Sequence, residues 1–140
     1  MSSWTQLVNE FRYELSCHDS LQARALLALY DLVVIYEAGG LVSYLMGSAA
    51  DSASDLAEYF AAQGFAPGLE LLASVSSKCP SALSPDCDRR IDSISELPGF
   101  DAGDDPFEAE DRSLSAVLPQ LETMAEGLAL RLRQAIARAG

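Results

Sequence analysis

Apolar residues recur at spacings of three and four along most of the chain, and no segment alternates with period two. The pattern predicts helices alone. Trp4, Leu7, Val8, Phe11 and Leu15 form a stripe over four turns. Asp19 or Ser20 can cap the next helix, which carries Leu21, Ala25, Ala28, Leu29, Leu32, Val33 and Tyr36 on one face. Leu26, Leu27, Val34 and Ile35 make its other faces apolar too, as expected of a central helix or one shared with a second subunit. Gly39 and Gly40 should stop it. A short segment, Leu41 to Met46, follows, and Asp51 or Ser52 then opens a helix with Leu56, Tyr59 and Phe60 inward and Gly64 as its stop. Pro67 suits a first helical turn, and Leu69, Leu72 and Val75 continue the core.

Beyond Ser76 the composition changes. Prolines and serines between Ser77 and Pro85 mark a loop. A short helix with Ile91, Ile94 and Leu97 comes next, Pro98-Gly99 breaks it, and Asp101 to Asp105 is a second loop. Phe107, Leu114, Val117, Leu121, Met124, Leu128, Leu132 and Ile136 define the last helix, which Pro119 should kink or split. The expectation is one all-α domain over residues 1–140, with about six or seven helices. At 49% apolar residues the chain can bury a core of its own.

Charge adds the outlying number. Against 21 acids stand 9 basic residues, a net charge of −12. Such a chain repels nucleic acid and anionic membrane surfaces and attracts basic partners. The N-terminus reaches Glu10 and Arg12 without an apolar run, so no signal peptide is visible. The longest apolar stretch, Ala25 to Tyr36, is interrupted by Asp31 and reads as too short to span a bilayer. Three cysteines fit a reducing cytoplasm, with Cys79 and Cys87 near enough in sequence to meet but expected as free thiols.

Catalytic signals are thin. His18 is the single histidine, and no Cys/His cluster accompanies Cys17-His18 to complete a metal site. No phosphate-binding or nucleophile-elbow spacing occurs. Neither a catalytic residue, a metal nor a cofactor is therefore expected. The feature that remains is acidic. Asp86, Asp88, Asp92, Glu96, Asp101, Asp104, Asp105, Glu108, Glu110 and Asp111 face only Arg89 and Arg90, which puts −8 of the chain's −12 in this stretch. Asp88, Asp92 and Glu96 share a helix face, where each like-charge pair costs an isolated helix roughly 0.2–0.5 kcal/mol. Glu108 and Asp111 repeat the arrangement in the first turn of the last helix. A solvated face accounts for such a run, and so does a surface kept for a partner.

The segment Tyr36-Glu37-Ala38-Gly39-Gly40-Leu41-Val42-Ser43-Tyr44-Leu45 resembles the signature of a bacterial DNA-mimic protein family. That signature is a glutamate, a double glycine and an aromatic-containing helix. In the same order come a helix ending at Gly64, a helix from Pro67 to Val75, a proline-rich loop, and Pro85, Asp86, Arg89 and Arg90, so the resemblance spans roughly residues 20 to 135. Ala38 stands where Asn is common and Leu41 where Phe is common. The resemblance implies a helical fold, frequent dimerisation and a carboxylate surface that imitates DNA phosphates to block a DNA-binding protein.

The resulting expectation is a cytoplasmic, non-catalytic inhibitor of a basic protein, with homodimerisation an option and no direct contact with nucleic acid or membrane. One form is an immunity protein or antitoxin that plugs the cleft of a nuclease toxin. The other is a DNA-mimic regulator that sequesters a transcription factor or nucleoid protein. Both place the partner on Asp88, Asp92, Glu96, Asp101, Asp104, Asp105, Glu108, Glu110 and Asp111. Phe100 and Phe107 sit among these acids, either as interface anchors or as core.

Overall fold

Phe11 divides the first apolar stripe. Its backbone leaves the helical region (φ −126°, ψ 25°), giving α1 (Ser3–Glu10) and α2 (Arg12–Ser16) where the spacing suggested one helix. Trp4, Val8, Phe11 and Leu15 nevertheless stay buried on one side, and Trp4 meets the Tyr30 ring edge-on at 6.4 Å. This computed structural model describes residues 3–139. Met1, Ser2 and Gly140, which the single-domain reading includes, lie outside the described residues.

Ser20 caps α3 (Leu21–Leu45), its hydroxyl accepting the Ala23 N–H at 3.1 Å, while Asp19 pairs with Arg24. The double glycine breaks the helix, as the sequence suggested, and the range of α3 joins two helical pieces across that kink. Gly40 alone departs from helical geometry (φ 81°, ψ 179°), and the helix resumes at Leu41. Counted through the Gly40 bend, the 25 residues of α3 are long and apolar enough to cross a membrane, by length and composition only, where the sequence reading measured the stretch from Ala25 to Tyr36. In this fold it is the central helix. Leu26, Leu29, Leu32 and Val33 are buried, Leu27, Val34 and Ile35 are half-buried, and α2, α4 and α7 pack around it.

A 3-10 turn, Ser48–Ser52, leads into α4 (Ala53–Gln63). Ser52 stands at the N-cap position, as the sequence suggested, but its hydroxyl donates to the Ala49 carbonyl instead of capping, and Asp51 faces Arg90. Gly64 ends α4 in the left-handed region (φ 64°), which costs glycine nothing. The helix α5 (Ala66–Lys78) opens with Pro67 in its first turn. Gly68 lets α5 close on α4, since a Cβ there would sit 2.6 Å from the Phe60 ring.

Asp86 caps α6 (Cys87–Ser95) through the N–H groups of Asp88 and Arg89. Turns at Gly99 and Gly103, both at positive φ, carry the chain to α7 (Glu108–Ala139). Against the kink or split that the sequence predicts at Pro119, α7 runs through it as one helix. Pro119 is exposed, so its missing N–H faces solvent, and Leu114 and Leu121 on either side are held in the core. Leu114, Leu121 and Leu128, seven residues apart, form the buried line of α7, and Phe107 just before the helix extends it. Among the described residues there are thus seven α-helices and no strand, with a single buried cluster shared by all of them. That is the all-α fold the spacing predicts.

Candidate functional site

The helix α6 and the turn after it present the acidic surface. Asp86, Asp88, Asp92, Glu96, Asp101, Asp104, Asp105 and Glu108 are all exposed, and the one exposed basic residue between them is Arg89. Of these acids only Glu108 forms an ion pair among the described residues, with Arg112 one turn along α7 at 3.2 Å. An exposed pair of that kind binds its partners weakly. The loop carrying Asp101, Asp104 and Asp105 is held by backbone bonds, Asp104 N–H to the Gly99 carbonyl and Gly103 N–H to the Phe100 carbonyl. Its carboxylates are therefore displayed from a fixed turn.

Two of the nine expected contact residues do not belong to that surface. Glu110 is 5% exposed. Lys78 donates to its Oε1 at 2.6 Å and the Ser74 hydroxyl to its Oε2 at 2.8 Å, tying α7 to α5. Burial disfavours its charge, but the bonds from Lys78 and Ser74 and the Lys78 ammonium outweigh it and hold the carboxyl below its ordinary range. Asp111 is half-buried and turned inward: its Oδ1 accepts the Leu41 N–H at 2.8 Å. Burial and the neighbouring Asp105 carboxyl push it up to about 6. The reason for both corrections is periodicity. Residues 110 and 111 lie three and four places from the buried Phe107 and Leu114, so α7 points them at the core.

Arg90 is the residue the charge count misplaced. It is fully buried. Its guanidinium donates to the carbonyls of Leu45, Gly47 and Ser84 and to Asp51 Oδ1, binding α6 to the end of α3 and to the 3-10 turn. A planar fork with five donors suits such a set of divergent acceptors. A signal existed: Cys87, Arg90, Ile94 and Leu97 follow helical spacing, so Arg90 shares the inward side with Ile94. With Arg90, Glu110 and Asp111 all turned inward, eight exposed acids and Arg89 remain, so the exposed charge of the stretch is −7.

Phe107 is core and Phe100 half-buried against it, and the Lys78 ammonium lies 5.8 Å from the Phe107 ring centre. The thiols are free, with Cys17 exposed, Cys79 buried and Cys87 intermediate. His18 is exposed in the turn before α3. No group of three or more metal-ligating side chains gathers among the described residues. An enclosed apolar cavity of about 20 Å³ beside Leu32, Tyr44, Leu56 and Phe60 has room for little more than one water. Two open grooves flank α5, one of about 280 Å³ against α7 and one of about 360 Å³ beside Glu96 and Leu97. In the segment that resembles the DNA-mimic signature, Glu37 is exposed, Tyr44 is 2% exposed in the core, and the double glycine forms the bend that Asp111 holds. Comparison with protein-family models, with curated proteins and with solved structures gives no match.

Proposed function

We propose that the protein is a non-catalytic inhibitor whose acidic surface occupies the nucleic-acid-binding site of a basic protein, in the role of an immunity protein or antitoxin against a nuclease-type toxin. The observation that carries this reading is that the exposed carboxylates of α6 and the following turn have no ion-pair partner among the described residues. Asp88, Asp92, Glu96, Asp101, Asp104 and Asp105 are exposed without an ion pair to any described residue, and Glu108 has only its weak helical pair. Carboxylates so placed meet arginine and lysine through charge-assisted bonds and displace the counterions a nucleic acid would displace. Burial of Glu110 and Asp111 reduces the proposed contact set to these seven residues.

Regulation by DNA mimicry is the second reading, and the resemblance of Tyr36 to Leu45 favours it. It calls for two acidic faces about one helical turn of DNA apart, ~34 Å, and hence for a dimer. The deciding experiment is capture of partners from the native host at low salt with a tagged full chain, followed by a salt step and mass spectrometry. A single basic nuclease in the salt eluate supports immunity, and its toxicity should then be neutralised by co-expression. A helix-turn-helix or nucleoid protein supports mimicry as regulation. If nothing is released by salt, the charged surface is not a binding surface.

A further inference from the structure

Between α5 and the first half of α7 runs the open groove of about 280 Å³. It exists because the side chains facing it are short. Ser74 on α5, with Ser113 and Ala116 on α7, leaves a space that longer residues would close. Leu71 and Val117 give the groove apolar lining, and Glu70, Ser74 and Ser113 give it polar lining. Small-molecule pockets begin at roughly 300 Å³, so the groove has room for a single side chain rather than for a cofactor.

Its polar groups are matched to a donor. Glu110, bonded to Lys78 Nζ at 2.6 Å, is ionised and can only accept. The Ser74 hydroxyl therefore commits its single proton to Glu110 Oε2 at 2.8 Å, and toward the groove it offers lone pairs alone. Glu70 is exposed, forms no ion pair with any described residue, and is likewise an acceptor. No lysine or arginine lines the groove. Lys78, one turn beyond Ser74, is engaged by Glu110, and Arg112, beside Ser113, is paired with Glu108.

We infer that this groove is a socket for an arginine side chain of the basic partner, an assignment that rests on the inhibitory role proposed for the protein. The aliphatic stem lies on Leu71 and Val117, and the guanidinium donates to the Glu70 carboxylate and to the Ser74 and Ser113 hydroxyl oxygens. These acceptors come from two helices, and a planar fork with five N–H groups meets several of them at once where an ammonium cannot. An aliphatic or aromatic anchor would fill the apolar lining but cover Glu70 and Ser74 without giving them a donor. Ser113 stands little more than one turn along α7 from Glu108, so one partner can cover both the acidic turn and the socket.

The test is an amide NMR titration of the full-length protein with n-butylguanidinium and, separately, with n-butylammonium at fixed ionic strength. The expected result is saturable guanidinium binding with shifts centred on residues 67–74 and 113–117. It should be roughly tenfold weaker for n-butylammonium and in Glu70→Gln. It should be lost in Ser113→Leu, which plugs the groove from an exposed helix position. Equal shifts for the two cations, shifts confined to the acids of α6 and its turn, or unchanged affinity in both variants would overturn the socket. Capture of partners from the host is a separate readout. A basic protein released by salt, with no guanidinium binding in the groove, removes the socket and leaves the inhibitory role standing. Guanidinium binding in the groove, with nothing released by salt, removes the partner and with it the arginine assigned to the socket.

Discussion

Among the described residues Arg90 and Glu110 are the two buried charges, and each fastens one helix to another. Removing Arg90 leaves three backbone carbonyls and Asp51 without their donor and opens a cavity of arginine size. R90A should therefore lose about 4 kcal/mol in denaturant unfolding. R90K should recover little of it, because an ammonium cannot reach acceptors that a fork spans. Glu110 poses a different problem: its carboxylate is almost fully buried, and Lys78 remains about one-third exposed. Replacing Lys78 by Met strands the buried charge and should cost about 2 kcal/mol, discounted for the exposed end of the pair. The Glu110 carboxyl is held low, so its contribution is present above its ordinary value of 4.5 and is lost as pH falls through the lower folded value. In K78M the acid limb of the pH–stability curve should consequently flatten, which chemical unfolding at pH 3 to 7 will read.

Element by element, the two long helices tolerate residues that ordinarily break helices, for opposite reasons. In α3 the break at Gly40 is a built bend, since the N–H it frees at Leu41 is taken up by Asp111. In α7 the break is suppressed: Pro119 removes a bond on the wet side of a helix anchored by Leu114 and Leu121. A proline inside a helix costs up to about 3 kcal/mol relative to alanine. P119A should thus stabilise the protein by about 1–3 kcal/mol, with a raised denaturation midpoint and an unchanged m-value as the readout. A fall in stability would mean that α7 depends on a distortion at Pro119.

The whole molecule separates its charges. The two buried ones bind helices together, and the acids of α6 and its following turn are exposed, with Arg89 the one exposed basic residue between them in the chain. Electrostatics of that kind act on encounter rates more than on the final affinity. Asp92→Lys combined with Glu108→Lys should slow association with the captured basic partner roughly tenfold or more at low salt and flatten its dependence on ionic strength. Both residues are exposed and Glu108 has only an exposed pair, so the unfolding midpoint should stay close to wild type. Unchanged stopped-flow association would assign the affinity to another surface.

Period alone determined the helical class, the apolar lines of α3 and α7, the stops at Gly64 and around Pro98-Gly99, and the concentration of acid between Asp86 and Asp111. These are local properties, set by spacing, capping and backbone freedom. Which charges face water was decided only by tertiary packing. The sequence counts Arg90, Glu110 and Asp111 as members of one acidic surface, although each also falls on the inward side of its own helix. Spacing says that such a residue points inward. Only the arrival of the Leu45, Gly47 and Ser84 carbonyls, of Lys78 and of the Leu41 N–H makes burial there affordable, and most of those partners come from segments tens of residues away. At Gly40 the two levels meet: the double glycine marks the break in the helix, and only Asp111 of another helix supplies the acceptor for the Leu41 amide beyond it.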